Sequence, residues 1–340
     1  MHTLLVPLDG SALAEQVLPY VRLLAPLLHA DVRLLGVVSD AEIERLLAYE
    51  LVRREAGSSQ VLPTALHQQR ARNQLCARVR HYLDLQIEQL RAAGLKAQPA
   101  VRVGLPDDQI IYMAERISAT LIVMATHGYS GLKRWALGSV ADKVVQATEI
   151  PVLLIRSAFP QPSPRLRRIM APLDGSALAL QAMPLAIDLA VAAHADLLLF
   201  QAIAPTVAAY SYPPLPSIVQ FALRDQARED LTRLAESLRE HQITITPEVE
   251  LGYPGEAIVD AAMQRDVDLI VMATHGYSGL KRWALGSVAD KVLHATSIPL
   301  LLIHPRDAEA LPPERQVFVT AAPEINPPVT VVPPGDCASR

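Results

Sequence analysis

The sequence predicts an α/β protein built from two tandem, doubly wound domains, each with a five-stranded parallel sheet. Three observations carry this prediction. Short, continuously apolar runs alternate with stretches of helical spacing, the pattern of parallel strands covered on both faces. The chain has 340 residues, room for two domains at the usual ~150 residues each. The chain also repeats itself. Leu121–Thr148 returns at Leu269–Thr296, and only Val145 (Leu293) and Gln146 (His294) differ. Right-handed crossovers between such strands give the doubly wound topology.

In chain order, Thr3–Leu8 reads as a strand and Ser11–Leu28 as a helical stretch interrupted by Pro19 and Pro26. Val32–Val38 is a strand, Ser39–Val61 a charged helical excursion, and Thr64–Ala93 a long helix. Lys96–Val103 is a strand, Pro106–Ile117 a helix with Pro at its start, and Thr120–Ala125 a buried strand. Gly138–Ala147 is a helix and Val152–Arg156 the last strand of the unit. The second half repeats the order. VPLDGSALA at Val6–Ala14 returns as APLDGSALA at Ala171–Ala179, and HADVRLLGVV at His29–Val38 as HADLLLFQAI at His194–Ile203. VRVGLPDDQII at Val101–Ile111 parallels VELGYPGEAIV at Val249–Val259, and IPVLLIR at Ile150–Arg156 parallels IPLLLIH at Ile298–His304. The long helix is expected over Ser217–Glu240, after a Pro- and Tyr-rich loop at Ala204–Pro216. The expected domains are 1–157 and 166–305, joined by a linker at 158–165 whose prolines block helix and sheet. A Pro-rich tail, 306–340, is expected to be loosely ordered, with strand-like pieces at Gln316–Thr320 and Val329–Val332.

Composition narrows the function. Apolar content is ample for two buried cores, and low aromatic content means Leu, Val, Ile and Ala build them. The net charge of −4 and the lack of a long basic run argue against nucleic-acid binding. Cys76 and Cys337 are the only cysteines, so no disulfide framework or metal-ligand spacing exists, which fits a reducing compartment. The N-terminus lacks a basic n-region, and no apolar run is long enough to span a bilayer. The expectation is a cytoplasmic protein without membrane or nucleic-acid partners.

The duplicated segment holds the candidate chemistry. Ligands in open α/β sheets bind at the carboxyl ends of the strands, where Thr120–Ala125 ends and the loop with Gly128 and Gly131 begins. Glycine permits positive φ and close approach of backbone to ligand. Gly138 and Ser139 then open a helix whose free N–H groups and dipole attract an anion, with the serine adding a hydroxyl donor. Gly276, Gly279, Gly286 and Ser287 repeat the arrangement. Neither a Walker A motif nor an intact G-x-G-x-x-G is present. Plain structural roles stand beside these. Asp9-Gly10-Ser11 serves equally as a strand-to-helix turn with Ser11 as N-cap. Lys133 and Arg134 read as a solvated pair, Trp135 and Trp283 as packing anchors, and His127 and His275 as loop residues without a carboxylate partner. No nucleophile–base–orienter set is evident.

These residues resemble the universal stress protein family. Its nucleotide-binding pattern reads Gly, two residues, Gly, nine residues, Gly, then Ser or Thr. Gly128, Tyr129–Leu137, Gly138 and Ser139 fit it, as do Gly276, Tyr277–Leu285, Gly286 and Ser287. The first glycine of the pattern is Ala125 here and Ala273 in the repeat, which adds a methyl where backbone should approach the ligand. The resemblance implies a Rossmann-like fold of the adenine nucleotide alpha hydrolase type and ATP as ligand, with Mg²⁺ as accompanying ion. It implies that Pro7 and Asp9, with Pro172 and Asp174, hold the adenosine end. Val37, with Ala202, would flank the adenine, and Met124, with Met272, would precede the loop. Gly138, Ser139 and Val140, with Gly286, Ser287 and Val288, would carry the phosphates. It also implies that the apolar last strands pair the two domains as an internal pseudo-dimer, a homodimer being left open. The function expected is a stress-response sensor or regulator; the alternatives are a nucleotide-independent adaptor, for which Ala125 and Ala273 speak, and a slow ATP hydrolase. The smaller Ala202 opposite Val37 predicts that the two sites differ in affinity.

Overall fold

The computed structural model describes residues 2–55, 65–126, 137–156, 163–205, 217–275 and 285–305. The glycine loops proper, the 157–162 part of the linker, the 206–216 part of the second excursion and the tail lie outside these ranges. The expected strand-like pieces at Gln316–Thr320 and Val329–Val332 lie outside them as well.

The first half runs β1 (His2–Pro7), α1 (Ala12–Glu15), α2 (Leu18–Leu27), β2 (Ala30–Val38), α3 (Asp40–Glu55), α4 (Ala65–Ala92), β3 (Ala97–Val103), α5 (Pro106–Arg116), β4 (Leu121–Ala125), α6 (Ser139–Ala147) and β5 (Val152–Ile155). The second half runs β6 (Arg168–Pro172), α7 (Ala177–Leu180), α8 (Met183–Ala193), β7 (Asp196–Ile203), α9 (Ser217–Ser237), β8 (Ile245–Leu251), α10 (Pro254–Gln264), β9 (Leu269–Ala273), α11 (Ser287–Ala295) and β10 (Leu300–Ile303), with a short 3₁₀ turn at Arg239–His241. The interrupted helical stretch from Ser11 to Leu28 is two helices, α1 and α2, and the break falls before Leu18 rather than at the prolines. Pro19 sits in the first turn of α2, where its missing N–H costs nothing, and Pro26 falls in the last turn. Pro184 does the same for α8. The excursion after β2 is helical as far as Glu55, and it starts with a capping box: Ser39 N donates to Glu42 Oε2 (2.7 Å) and Glu42 N to Ser39 Oγ (3.3 Å).

The strand order is β3-β2-β1-β4-β5-β10-β9-β6-β7-β8 in a single ten-stranded sheet. Within each half all pairings are parallel, and β5 meets β10 antiparallel, with Leu153 opposite Leu301. The internal pseudo-dimer is therefore one continuous sheet across the two halves. The outer strands β3 and β8 each carry a proline, Pro99 and Pro247, which lacks the donor that another strand would need.

The apolar residues, ample by composition for two buried cores, pack as follows among the described residues. There are two large cores, but they lie on opposite faces of the sheet and each runs through both halves. One packs α2, α4, α8 and α9 (Leu24, Leu83, Leu90, Ile187, Leu231) against Leu4, Val6, Leu153 and Leu301. The other packs α5, α6, α10 and α11 (Ile110, Val144, Ile258, Val292) against Leu5, Leu154, Ile270 and Leu302. The short strands β5 and β10 are buried on both faces, so the seam is as apolar as any interior strand. A small third cluster, with Ile43, Leu47 and Ala71, seats α3 on α4, and Cys76 packs beside it.

Candidate nucleotide site

In each half the strand order turns at the boundary between the first and fourth strands, β1/β4 and β6/β9. Crevices form at such switch points, outside the carboxyl ends of the strands. Pro7 pairs with Leu35 in register, and Leu5 pairs with Ile122. Leu5, Leu35 and Ile122 all belong to the core under α5 and α6. Side chains alternate along a strand, so Pro7, Val37 and Met124, two residues further on, share that face at the carboxyl edge. Met170, Phe200 and Ile270 fix the face for Pro172, Ala202 and Met272 in the same way. Val37 and Ala202 are half-buried, whereas Met124 and Met272 are 5% exposed, so the methionines form floor rather than rim. Ala125 and Ala273 are the last residues of β4 and β9.

Asp9 and Asp174 shape the turns after β1 and β6. Asp9 Oδ1 accepts from Ser11 N (2.9 Å) and Ser11 Oγ (2.6 Å), and Ser11 Oγ in turn accepts from Ala14 N (3.1 Å) to cap α1. Asp174, Ser176 and Ala179 repeat this at 2.9, 2.6 and 3.1 Å. Gly10 and Gly175 carry the left-handed φ, +79° and +84°, that closes the turn. Asp9 is exposed and Asp174 half-buried. Tyr82 of α4 comes close to this turn. Burial raises its pKa first, and the Glu15 and Asp9 carboxylates add to the shift.

The starts of α6 and α11 lie at the ends of β4 and β9, the strands beside β1 and β6. Gly138 N donates to Thr126 O (2.7 Å) and Gly286 N to Thr274 O (2.9 Å), so each helix start is tied to the end of the preceding strand. The glycine is the N-cap in extended conformation, so the N-cap itself offers no side chain to the first-turn amides. A Cβ on Gly286 would stand 2.6 Å from the Thr274 carbonyl oxygen. Glycine is therefore required here for closeness, not for φ. Ser139 and Ser287 are exposed at the first helical position, and Val140 and Val288 are half-buried against the core. The structure thus brings Pro7, Asp9, Val37, Met124, Gly138, Ser139 and Val140 to one edge, and their counterparts likewise. Gly128, Gly131, Gly276 and Gly279 lie outside the described residues, as do His127, Lys133, Arg134, Trp135 and Trp283.

Sequence reasoning passed over the residues that tie the two site helices across the seam. Arg156 Nη1 donates to His294 O (3.1 Å) and Thr296 O (2.5 Å) at the end of α11. His304, its counterpart, sets Nε2 against Val145 O at the end of α6. His304 Nδ1 lies 3.4 Å from Thr274 Oγ1, which is 3.1 Å from His275 Nδ1. Burial lowers the His304 pKa, and the Val145 carbonyl opposes the shift. The signal available in sequence was the terminal residue of each last strand, polar after an apolar run.

The family model for the universal stress protein family matches residues 1–156 and again 165–304. The chain belongs to the universal stress protein family. Among its relatives, Universal stress protein MJ0577 of Methanocaldococcus jannaschii is 28% identical over 153 residues, covering 45% of this chain and 93% of that protein. Universal stress protein MJ0531 of the same organism is 30% identical over 142 residues, covering 40% and 81%. Each match spans less than half of this chain. Over nearly its whole length the fold is similar to that of a universal stress protein from Archaeoglobus fulgidus, with a TM-score of 0.64 at 20% identity, covering 89% of this chain and 98% of that one. A universal stress protein chain of two fused domains accounts for the repeat, the strand order and the seam together.

Proposed function

We propose that this universal stress protein binds an adenine nucleotide at the carboxyl edge of each half and acts in the cytoplasm as a stress-response sensor or regulator. ATP is the ligand we assign, with Mg²⁺ as its accompanying ion. The observation that carries the reading is the glycine N-cap at the start of α6 and α11. There a glycine held against a strand-end carbonyl leaves no room for a Cβ at Gly286 and supplies no side chain to compete for the first-turn amides. Amides at a helix start, backed by the dipole, attract phosphate. Ser139 and Val140, and Ser287 and Val288, would hold the phosphates. Pro7, Val37 and Met124, with Asp9 at the rim, would take the adenosine side, and Pro172, Ala202, Met272 and Asp174 would do so in the second half. No step of bond breaking is part of the reading; occupancy is the signal.

The test is equilibrium binding of a labelled ATP analogue to the wild-type chain and to a variant carrying Ser139→Ala and Ser287→Ala. The expected result is saturable binding, weakened about tenfold in the variant by loss of one hydroxyl donor to a charged phosphate, worth ~1.5 kcal/mol per site. Identical binding by both proteins removes the phosphate assignment, and no binding by either leaves the nucleotide-independent adaptor as the function.

A further inference from the structure

Pro7, Asp9, Met124, Gly138 and Ser139 have identical counterparts in the second half; besides Val37 against Ala202, the two clefts part at the third strand. Register places Arg102 beside Val37 and Glu250 beside Ala202. Residues opposed across parallel strands share a face. Ala100, two residues before Arg102, packs on the core under α5 and α6, so Arg102 lies on the cleft side of the sheet. Its Nε donates to Gln109 Oε1 (3.0 Å), and its guanidinium lies over the Tyr112 ring, 4.7 Å from the centroid. Among the described residues its two terminal amino groups make no hydrogen bond. The guanidinium is thus held from behind with its fork open, the arrangement suited to a phosphate or carboxylate.

The second half has none of this. Ala257 and Asp260 stand where Gln109 and Tyr112 would be. Glu250 shares Arg265 (2.9 Å) with Glu248, which also pairs with it, so one negative charge is left over on that strip. The corresponding strip of the first half carries one positive charge. Asp108 counts the other way and Asp260 adds a negative charge to the second half, but both lie on the helices α5 and α10 rather than on the strand, and the tally is of the strand residues and their ion-pair partners. The neighbouring acids are balanced in both halves, Asp107 by Lys143 (3.1 Å) and Glu256 by Lys291 (2.6 Å).

We propose that Arg102 makes the first cleft the tighter one for a polyphosphate nucleotide and that Glu250 makes the second the weaker, so that the clefts fill in sequence. This rests on the reading above that both clefts take adenine nucleotide. A two-charge difference at ~10 Å from a tri- or tetra-anion, in water and partly screened, gives a ratio of roughly tenfold that shrinks as salt rises.

The experiment is calorimetric titration of the full-length chain with ATP at low and high salt, in wild type, Arg102→Glu, Arg102→Gln, Glu250→Arg and Gly286→Val. Expected are two affinities about tenfold apart at low salt. Both Arg102 variants weaken the tight site, Glu250→Arg brings the weak site toward it, and Gly286→Val, which pushes side-chain atoms onto the Thr274 carbonyl, removes the weak site alone. Two equal wild-type affinities, or a tight site that neither Arg102 variant changes, overturn the inference while leaving nucleotide binding intact. No heat at either cleft overturns both.

Discussion

At Gly286 a single hydrogen atom decides whether the helix start can meet the strand end. Replacing it with a methyl forces α11 off the Thr274 carbonyl, where the added carbon would stand at 2.6 Å. Overpacking of this kind costs about 1–3 kcal/mol. We expect Gly286→Ala to lower the denaturant midpoint accordingly and to weaken nucleotide binding in the second half, read by chemical unfolding and by titration. A melting curve and affinity equal to wild type would show that the approach is not required. Ser11 and Ser176 make a matched pair of another kind. Each caps its helix, and each donates its hydroxyl to Asp9 or Asp174 in the same geometry. Removing an N-cap hydroxyl costs about 1 kcal/mol. Ser176 is buried and Ser11 is not, so Ser176→Ala should cost more than Ser11→Ala in parallel unfolding experiments. At this scale much was readable. Asp-Gly-Ser after a strand means turn and cap wherever it occurs, and both roles are seen. The methionines were not readable: sequence put them before the loop, but only packing shows that Met124 and Met272 are floor.

Among the elements, the last strands and the site helices are linked across the seam, and the link is lopsided. Arg156 meets the carbonyl end of α11 with a permanent cation, the favourable sign for a helix C-terminus. His304 meets α6 with a group that titrates. Burial is the first cause of its lowered pKa, outweighing the Val145 carbonyl. Its folded-state pKa lies below the unfolded value of 6.5. The unfolded chain therefore takes up the proton first as pH falls. Stability is full above the unfolded pKa and declines as pH drops from there toward the folded pKa. Glu149, which opposes the shift, and His275, which adds to it, both act on this ring. Urea unfolding of wild type and His304→Gln between pH 7.5 and 5 should show a steeper loss in wild type, and parallel curves would contradict this. The strand at the seam was legible because VLLI and LLLI are apolar throughout, and a strand buried on both faces needs a neighbour on each edge. The clasp was not legible, since it depends on which carbonyl ends of a distant helix come within reach after the halves pair.

The described residues of the whole molecule form one sheet with a core on each face, and each core runs through both halves. Repeat order, Pro-bounded linker and apolar last strands were enough to foretell a fused pair. They could not show that helices of both halves, α2 and α8 among them, join one cluster, because sequence patterns report a face and not its partner. A consequence follows for the isolated halves. A chain ending after β5 exposes a fully apolar edge strand, which templates pairing. Fragment 1–165 should elute as a dimer or larger species rather than a monomer on size exclusion with light scattering; a stable monomer would mean the seam adds little. The charge difference across the sheet, Arg102 against Glu250, was present in the aligned segments VRVGLP and VELGYP. It gained meaning only when register set those residues beside Val37 and Ala202.

The central claim, that main-chain amides at two glycine-capped helix starts hold the phosphates, is tested most directly by residue-resolved amide hydrogen exchange with and without ATP. The amides of Ser139, Val140, Ser287 and Val288 should slow on addition of nucleotide, the first pair at lower concentration. Binding that leaves these four amides exchanging as before, with protection elsewhere, would contradict it.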